Sequence, residues 1–598
     1  LNDTKILSKR LTKPLLRQNR KDEFKEVEWS EALDYVAERL KAIKDKHGPD
    51  AIMGTGSARG MGNEANYVMQ KFMRAVIGTN NVDHCARVCH ASSVAGLATT
   101  FGSGAMTNSI PEIDNATCLL IFGYNDAEAH PIVARRVIKA REKGAKIIVV
   151  DPRKTESART ADLWLQIKNG SNMAVVNSFA NVIFANGWEN KNYIKNYTDG
   201  FDEYRKIVQK YTPEYAQSIT GISPELLKEA MSIYANSERS YILYGMGVTQ
   251  FNQAVDVVKG LGSLCLITGQ IAKPSSGIGP VRGQNNVQGS CDMGALPNVF
   301  PGYQAVTDAA AREKFAKAWK VKNLPDKPGY TLTDVVHAVE EGKLKAFYII
   351  GEDPVQSDPD AASVRKALDA LELVVVQDIF MNKTALHANV ILPATSWGEH
   401  EGVCSAADRR FQRIRKAVEP KGDMKHDWVI ISELSKRFGY EMNYKNTEEI
   451  WNELISLCPS YAGATYEKIE RLGSVQWPCR TPEDTGTPYL FKGNIFLTPS
   501  KKGNLFAAEW RAPKEVPDKE YPLILSTVRE IGHYSARTMT GNCWGLAKLA
   551  DEPGYLQINP ADAENLGIED GELVRATSRR GSVITRALVT DRVTKGTV

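Results

Sequence analysis

Apolar residues in this chain gather in short continuous runs, separated by stretches with helical spacing. Cys118-Leu119-Leu120-Ile121-Phe122 stops at the turn Gly123-Tyr124-Asn125. A helical pattern follows over Pro131 to Arg141, and Lys146 to Val150 is a second run that ends in Asp151. The same order recurs later. Ala346 to Ile350 stops at Gly351-Glu352-Asp353, a helix spans about 361–370, and Leu373 to Gln377 ends in Asp378. Gly123 and Asp151 are 28 residues apart, and Gly351 and Asp378 are 27 apart. Continuous apolar strands alternating with helices predict parallel sheets covered on both faces. Ligands of such sheets lie beyond the carboxyl ends of the strands. Each unit places a glycine turn at one strand end and an aspartate at the next. That aspartate can accept hydrogen bonds from a ribose hydroxyl or from the paired donors of a guanine edge. Matched spacing suits two similar nucleotide-bearing ligands, although βαβ units are common enough that spacing alone assigns none.

The flanking segments extend this picture. A helix is predicted over Glu31 to Lys46 with Ser30 as its N-cap. A strand over Pro49 to Met53 leads into Gly54-Thr55-Gly56-Ser57-Ala58-Arg59-Gly60, and a helix is predicted over Asn63 to Val76. The glycine run is neither G-x-G-x-x-G nor a P-loop. The stretch Gly277 to Gly294 concentrates amides around Arg282, which suggests a polar ligand. After Pro513 the texture changes to short strands at Leu523–Ser526, Glu572–Ala576 and Ser582–Ala587, a β-barrel pattern still unfinished at Val598.

Composition narrows the class. The 598 residues are 42% hydrophobic and 24% charged, which excludes a disordered, collagen-like or disulfide-dense chain. The balance of 75 basic and 71 acidic residues, +4, gives no reason to expect nucleic acid or a membrane surface as partner. No apolar run is long enough to cross a bilayer. The nine cysteines are an odd number without a secreted-domain pattern, so a reducing compartment is expected. The polar start at Leu1 and the stop inside strands at Val598 read as truncation at both ends.

The densest chemistry lies in Asp83-His84-Cys85-Ala86-Arg87-Val88-Cys89-His90-Ala91-Ser92-Ser93. C-x₃-C with adjacent histidines lacks the second ligand pair of a closed zinc shell. Adjacent Cys89 and His90 make a poor nucleophile–base pair. A buried cysteine at a helix start is the plain alternative.

This window, with Ser93-Val94-Ala95-Gly96-Leu97 and Gly102-Ser103-Gly104-Ala105-Met106-Thr107-Asn108, resembles the active-site segment of molybdenum formate dehydrogenases. Phe122–Asn125, Val150–Lys154, Gly245–Gln250, Pro280–Gly289, Ser396–Gly402 and Ser526–Ser535 fit the same family in order, over essentially the whole chain. The resemblance implies molybdenum or tungsten held by two molybdopterin guanine dinucleotides. Cys89, where relatives carry selenocysteine or cysteine, would be the thiolate ligand of the metal. His90 would accept the proton, and Arg282 would clamp the formate carboxylate. The implied cofactor contacts are Arg59, Asn125, Asp151, Arg153, Gly170, Asn172, Met246, Gly247, Gln250, Gln284, Asp353, Asp378, Asp427, Arg529, Glu530, His533 and Ser535.

The fold implied is α/β and multidomain, with two Rossmann-like parallel-sheet domains related by pseudo-symmetry. The first would take 1–84 and 285–396, the second 85–284, and each would hold one guanine dinucleotide. A mixed connecting region over 397–515 and an incomplete C-terminal β-barrel over 516–598 would follow. The reaction implied is reversible two-electron oxidation of formate to carbon dioxide. Electrons would pass to an iron–sulfur subunit, a hydrogenase or a diaphorase, and the relatives imply a cytoplasmic location. The family's N-terminal domain binds a [4Fe–4S] cluster through four cysteines. Those ligands are absent from this sequence, whose first cysteine is Cys85 and whose first ten residues resemble the segment just after that domain. Cysteine in place of selenocysteine predicts a slower enzyme. Rival readings are another bis-molybdopterin enzyme, such as a nitrate reductase, or a non-redox zinc- or nucleotide-binding protein.

Overall fold

A computed structural model describes residues 9–549 and 553–598. Ten strands position the candidate chemistry: β1 Ile52–Thr55, β2 Val82–Asp83, β3 Cys118–Phe122, β4 Lys146–Val150, β5 Leu163–Leu165, β6 Ser240–Tyr244, β7 Gly277–Pro280, β8 Ala346–Ile350, β9 Leu373–Asp378 and β10 Val390–Pro393. Every residue of β3, β6, β8 and β9 is buried, as continuous apolar runs require of central parallel strands.

The described residues form two compact units. The first takes residues up to Val88, Gln284–Thr487 and His533–Ala547. The second takes Cys89–Gly283, Pro488–Gly532 and Lys548–Val598. Residues 397–487 therefore belong to the first and 488–515 to the second.

Within the first unit the parallel strands run β10-β9-β8-β1-β2, and two short antiparallel strands, Leu15–Leu16 and Lys25–Glu26, extend the β10 edge. Within the second the order is β5-β4-β3-β6-β7, parallel throughout. The two sheets correspond when β8-β9-β10 are set against β3-β4-β5 and β1-β2 against β6-β7, although β1 and β2 precede β8 in the chain while β6 and β7 follow β3. The internal echo continues into the turns. Gly351 and Gly123 both have φ +55°. Gly351 N–H donates to the Gln377 carbonyl at 2.9 Å and Gly123 N–H to the Val150 carbonyl at 2.8 Å. Each glycine stands where the strand order reverses, the place at which open α/β sheets bind ligands.

Helices cover the sheet faces. In the second unit Leu120, Phe122, Ile148, Val150 and Ile242 pack toward helices Asn172–Ala185 and Ala254–Thr268. Leu119, Ile121, Ile147 and Val149 face helix Pro131–Glu142 through Val133, Val137 and Ala140. In the first unit Phe347, Ile349, Val374 and Val376 meet Val364, Ala367 and Leu368 of helix Ala361–Ala370. Helix Ala91–Phe101 lies so close to Ala254–Thr268 that a Cβ at Gly96 would meet Val258 Cγ1 at 2.6 Å.

Four sequence expectations shift. The first helix runs Trp29–His47 with Glu28, not Ser30, at the N-cap. Pro49–Ala51 is a 3₁₀ turn with Pro49 at its first position, so the strand begins at Ile52. The helix from Asn63 is regular to Lys71 and continues as a π-helix over Phe72–Ile77, where Arg74 is buried on five neutral acceptors. Leu523–Ser526 is not a strand, and Ile524 forms only an isolated bridge to Thr597. What the described residues show of the C-terminal β domain is an open sheet, β11 Tyr555–Ile558, β13 Gly581–Val589 and β12 Leu573–Ser578 in that order. Among the described residues no helix is long and apolar enough to cross a membrane.

Candidate active site and cofactor clefts

The second unit carries Cys89, His90 and Arg282. Cys89 ends a single helical turn and His90 caps helix Ala91–Phe101. Thr249, just beyond β6, donates its hydroxyl to the Cys89 carbonyl at 2.6 Å, and the Ser92 hydroxyl donates to the Thr249 carbonyl at 3.1 Å. These reciprocal bonds tie the Cys89 backbone to the turn after β6. Cys89 is half-buried, whereas His90 is wholly buried. His90 Nδ1 meets Ser93 Oγ at 2.9 Å, and Nε2 is buried with no partner among the described residues. Burial, with the nearby charge of Arg282, pushes the His90 imidazole down to about 3. It is neutral at physiological pH. Arg282 follows the end of β7, is 3% exposed, and reaches the Gly104 carbonyl with Nη2 at 3.4 Å.

A cleft of about 1010 Å³ opens elsewhere in the second unit. Gly170, Met246, Gly247, Gln250 and Arg529 are among its walls, with Trp510 and Pro513. Gly170 has φ +83°, and Trp510 Nε1 donates to its carbonyl at 2.9 Å. Asn172 stands outside the lining but donates Nδ2 to the Gly247 carbonyl at 3.0 Å. Gly247 N–H in turn donates to the Gly123 carbonyl at 3.0 Å, and a Cβ on Gly247 would lie 2.6 Å from Gly123 Cα. Both amide atoms of Asn125 are buried without a partner among the described residues. Asp151 ends β4, accepts from Arg153 N–H at 2.9 Å, and is pushed up to about 6 by burial. Arg153 turns to Gln557 and Glu128, and Glu530 is exposed.

The first unit has its own cleft, lined by Arg59, Gly351, Asp378, Trp397, Asp427 and Ser535 among others. Arg59 Nη2 lies 3.2 Å from Glu352 Oε2 in a buried pair. Burial pushes Glu352 and Asp427 up to about 7 and Asp378 to about 6. Asp378 accepts from Ile379 N–H at 2.6 Å and Asn382 Nδ2 at 2.8 Å. Asp353 is taken up by the Thr384 amide and hydroxyl. Gln284 donates to Ser535 Oγ at 3.3 Å and accepts from the Cys85 thiol. His533 Nδ1 meets Thr540 Oγ1 at 3.0 Å.

Sequence reasoning passed over Trp397 and Tyr534 on the first cleft and Trp510 on the second. An aromatic at a cleft wall has no local pattern that separates it from a core aromatic.

Two corresponding parallel sheets with carboxylates at their strand ends are the architecture that the resemblance to molybdopterin-dependent redox enzymes implies. The family described as Molybdopterin oxidoreductase matches residues 10–437, and Molydopterin dinucleotide binding domain matches residues 523–598. The chain belongs to the molybdopterin oxidoreductases. It is 58% identical over 600 residues to formate dehydrogenase H of Escherichia coli (strain K12), spanning 100% of this chain and 84% of that one. Identity is 47% to the F420-dependent formate dehydrogenase subunit alpha of Methanocaldococcus jannaschii, over 98% of this chain and 86% of that one. Acetylene hydratase from Pelobacter acetylenicus shares the fold, with a TM-score of 0.77 at 22% identity over 100% of this chain and 85% of that one. The donor set fits a molybdopterin dinucleotide. Carboxylates whose pKa burial raises gain from the paired N–H donors of a guanine edge, and the orphaned Asn125 amide offers both a donor nitrogen and an acceptor oxygen.

Proposed function

We propose that this chain is the catalytic subunit of a formate dehydrogenase, interconverting formate with carbon dioxide, a proton and two electrons. Molybdenum or tungsten held by two molybdopterin guanine dinucleotides would, when bound, accept the two electrons. Asp378, Asp427 and the Arg59–Glu352 pair would hold one dinucleotide. Asn125, Asp151, Gly170, Met246, Gly247 and Gln250 would hold the other. Cys89 would supply a soft thiolate to the metal.

The remaining steps belong to the protein's own side chains. Arg282 presents a planar fork to the carboxylate and fixes the direction of the C–H bond, so that positioning contributes to rate. His90 presents Nε2 as an acceptor while Ser93 holds Nδ1, and because burial and Arg282 push its protonation down to about 3, it would take up a proton only where negative charge bound beside it offsets them. Burial of both residues keeps bulk water away and strengthens their electrostatic effect. The observation that best supports this reading is the gathering in one unit of the half-buried Cys89 with the buried His90 and Arg282. Electrons would leave to an iron–sulfur subunit, a hydrogenase or a diaphorase, in the cytoplasm.

The test is metal analysis of anaerobically purified protein together with formate-dependent viologen reduction on the same sample. Stoichiometric molybdenum or tungsten with formate turnover is the expected result. Metal with nitrate turnover in place of formate turnover would move the chain to another branch of the family. Zinc, or no metal in protein matured with its cofactor machinery, would sink the reading.

A further inference from the structure

The backbone that carries Arg282 leaves the sheet just before it. Val281 N–H makes the last bond to the strand neighbour, donating to the Tyr244 carbonyl at 3.0 Å, and a Cβ at Gly283 would find open space. At that point a second histidine meets the chain: His130 Nε2 lies 2.8 Å from the Arg282 carbonyl. A carbonyl oxygen only accepts, so Nε2 carries the hydrogen and donates. Nδ1 is then a bare acceptor, buried with no partner among the described residues. Burial lowers the pKa of the ring and so disfavours its charged form, while the bond to the carbonyl sets the tautomer.

His130 is itself held firmly. Its N–H donates to the Asp126 carbonyl at 2.8 Å, and Pro131 fixes the start of the next helix. Its ring lies 5.4 Å from that of Tyr124, on the turn that presents Asn125. The imidazole therefore links the turn after β3 to the end of β7.

We propose that His130 is a positioning residue for Arg282, holding the main chain from which the carboxylate clamp projects. This rests on the reading of Arg282 as the group that binds formate. His130 need not touch substrate. Its effect falls on how well the guanidinium is aimed, hence on carboxylate affinity more than on the later electron and proton steps.

The test compares three variants of the cofactor-loaded enzyme. His130→Gln places an amide N–H near the position of Nε2, whereas His130→Asn is too short to reach the carbonyl. His130→Phe keeps a ring against Tyr124 but cannot donate. With metal and pterin content matched, the Asn and Phe variants should raise KM for formate roughly tenfold, with kcat changed less than about twofold. The inhibition constant of nitrate, a planar anion used as a non-reacting probe of the clamp, should rise in parallel, and Gln should restore both. Unchanged KM in the Phe variant overturns the proposal, as does a Gln variant no better than Phe. So does a loss confined to kcat or to metal loading. If the Asn variant does not fold, the Phe–Gln pair decides. An error in the formate reading itself would show separately, as wild-type protein that is loaded with metal but inert to formate.

Discussion

Ser93 Oγ lies 2.9 Å from His90 Nδ1, three residues along the same helical turn, and thereby settles which ring nitrogen faces away from the helix. That contact selects the imidazole rotamer without touching substrate. Ser93→Ala should lower kcat for formate roughly tenfold while molybdenum or tungsten content stays at the wild-type level. Steady-state kinetics with metal analysis on the same preparation checks this, and Ser93→Thr, which keeps the hydroxyl, should recover most of the loss.

Arg282 is the residue for which a charge-preserving change should be most informative. Lysine retains the charge but not the planar fork. Arg282→Lys should raise KM for formate roughly 10- to 100-fold, and Arg282→Ala should do so more severely. Thermal midpoints near wild type would separate lost recognition from lost folding.

Close backbone approach makes Gly247 a sharp structural test. A Cβ there would sit 2.6 Å from Gly123 Cα, so the turns after β3 and β6 must part. Gly247→Ala should cost about 1–3 kcal/mol and lower the pterin content of purified protein. Gly545, where an added Cβ meets nothing within 4 Å, supplies a control whose alanine variant should retain its cofactor.

A pH dependence follows from Glu64. Its side chain is wholly buried, accepts from Tyr466 Oη at 2.5 Å and Val403 N–H at 3.0 Å, and is pushed by burial from 4.5 up to about 7. Between those values the folded protein binds more protons than the unfolded chain. Stability from this group is therefore fully present below about pH 4.5 and is lost as pH rises through 7. The loss is on the order of 3 kcal/mol. In Glu64→Gln the amide can donate to Tyr466 and accept from Val403, so the variant should melt higher than wild type at pH 8. Its advantage should shrink toward pH 5. Paired melting curves at the two pH values measure this difference, and an equal advantage at both would contradict it.

Much of the frame was legible before any coordinates. The strands at 118–122, 146–150, 346–350 and 373–377 announce themselves because a strand buried on both faces reads as a continuous apolar run, with polar residues such as Lys146 and Gln377 only at its ends. Their glycine and aspartate ends follow from the same logic. The Leu523–Ser526 run is misleading because an apolar tetrapeptide specifies a strand only when a ladder extends beside it, and here the bonds of Ile524 and Ser526 to Gly596 and Val598 amount to one isolated bridge. The π-helix at Phe72–Ile77 depends on Arg74 reaching the carbonyls of Gly294, Leu296 and Val299, more than 200 residues away. Trp397 and Tyr534 lie in segments that carry the resemblance, but their place on a cleft wall, like the contact of His130 with Arg282, is not legible in the sequence for a related reason. Their roles arise from neighbours that only the tertiary fold supplies.

The different chain order of the two corresponding sheets has a consequence for the history of each molecule. The second unit's sheet is built from one stretch of chain, Cys118 to Pro280, whereas β1 must wait for β8 before Ile52 can pair with Ala346. Closing so long a loop carries an entropic cost that the later sheet contacts must offset. During synthesis the second sheet can therefore form while the first is still half made, leaving the edge of β1 exposed until the strands from Ala346 onward emerge. A chaperone would meet this protein with one sheet formed and the other still open, while the walls that Trp510, Pro513 and Arg529 give the second unit's cleft arrive later still.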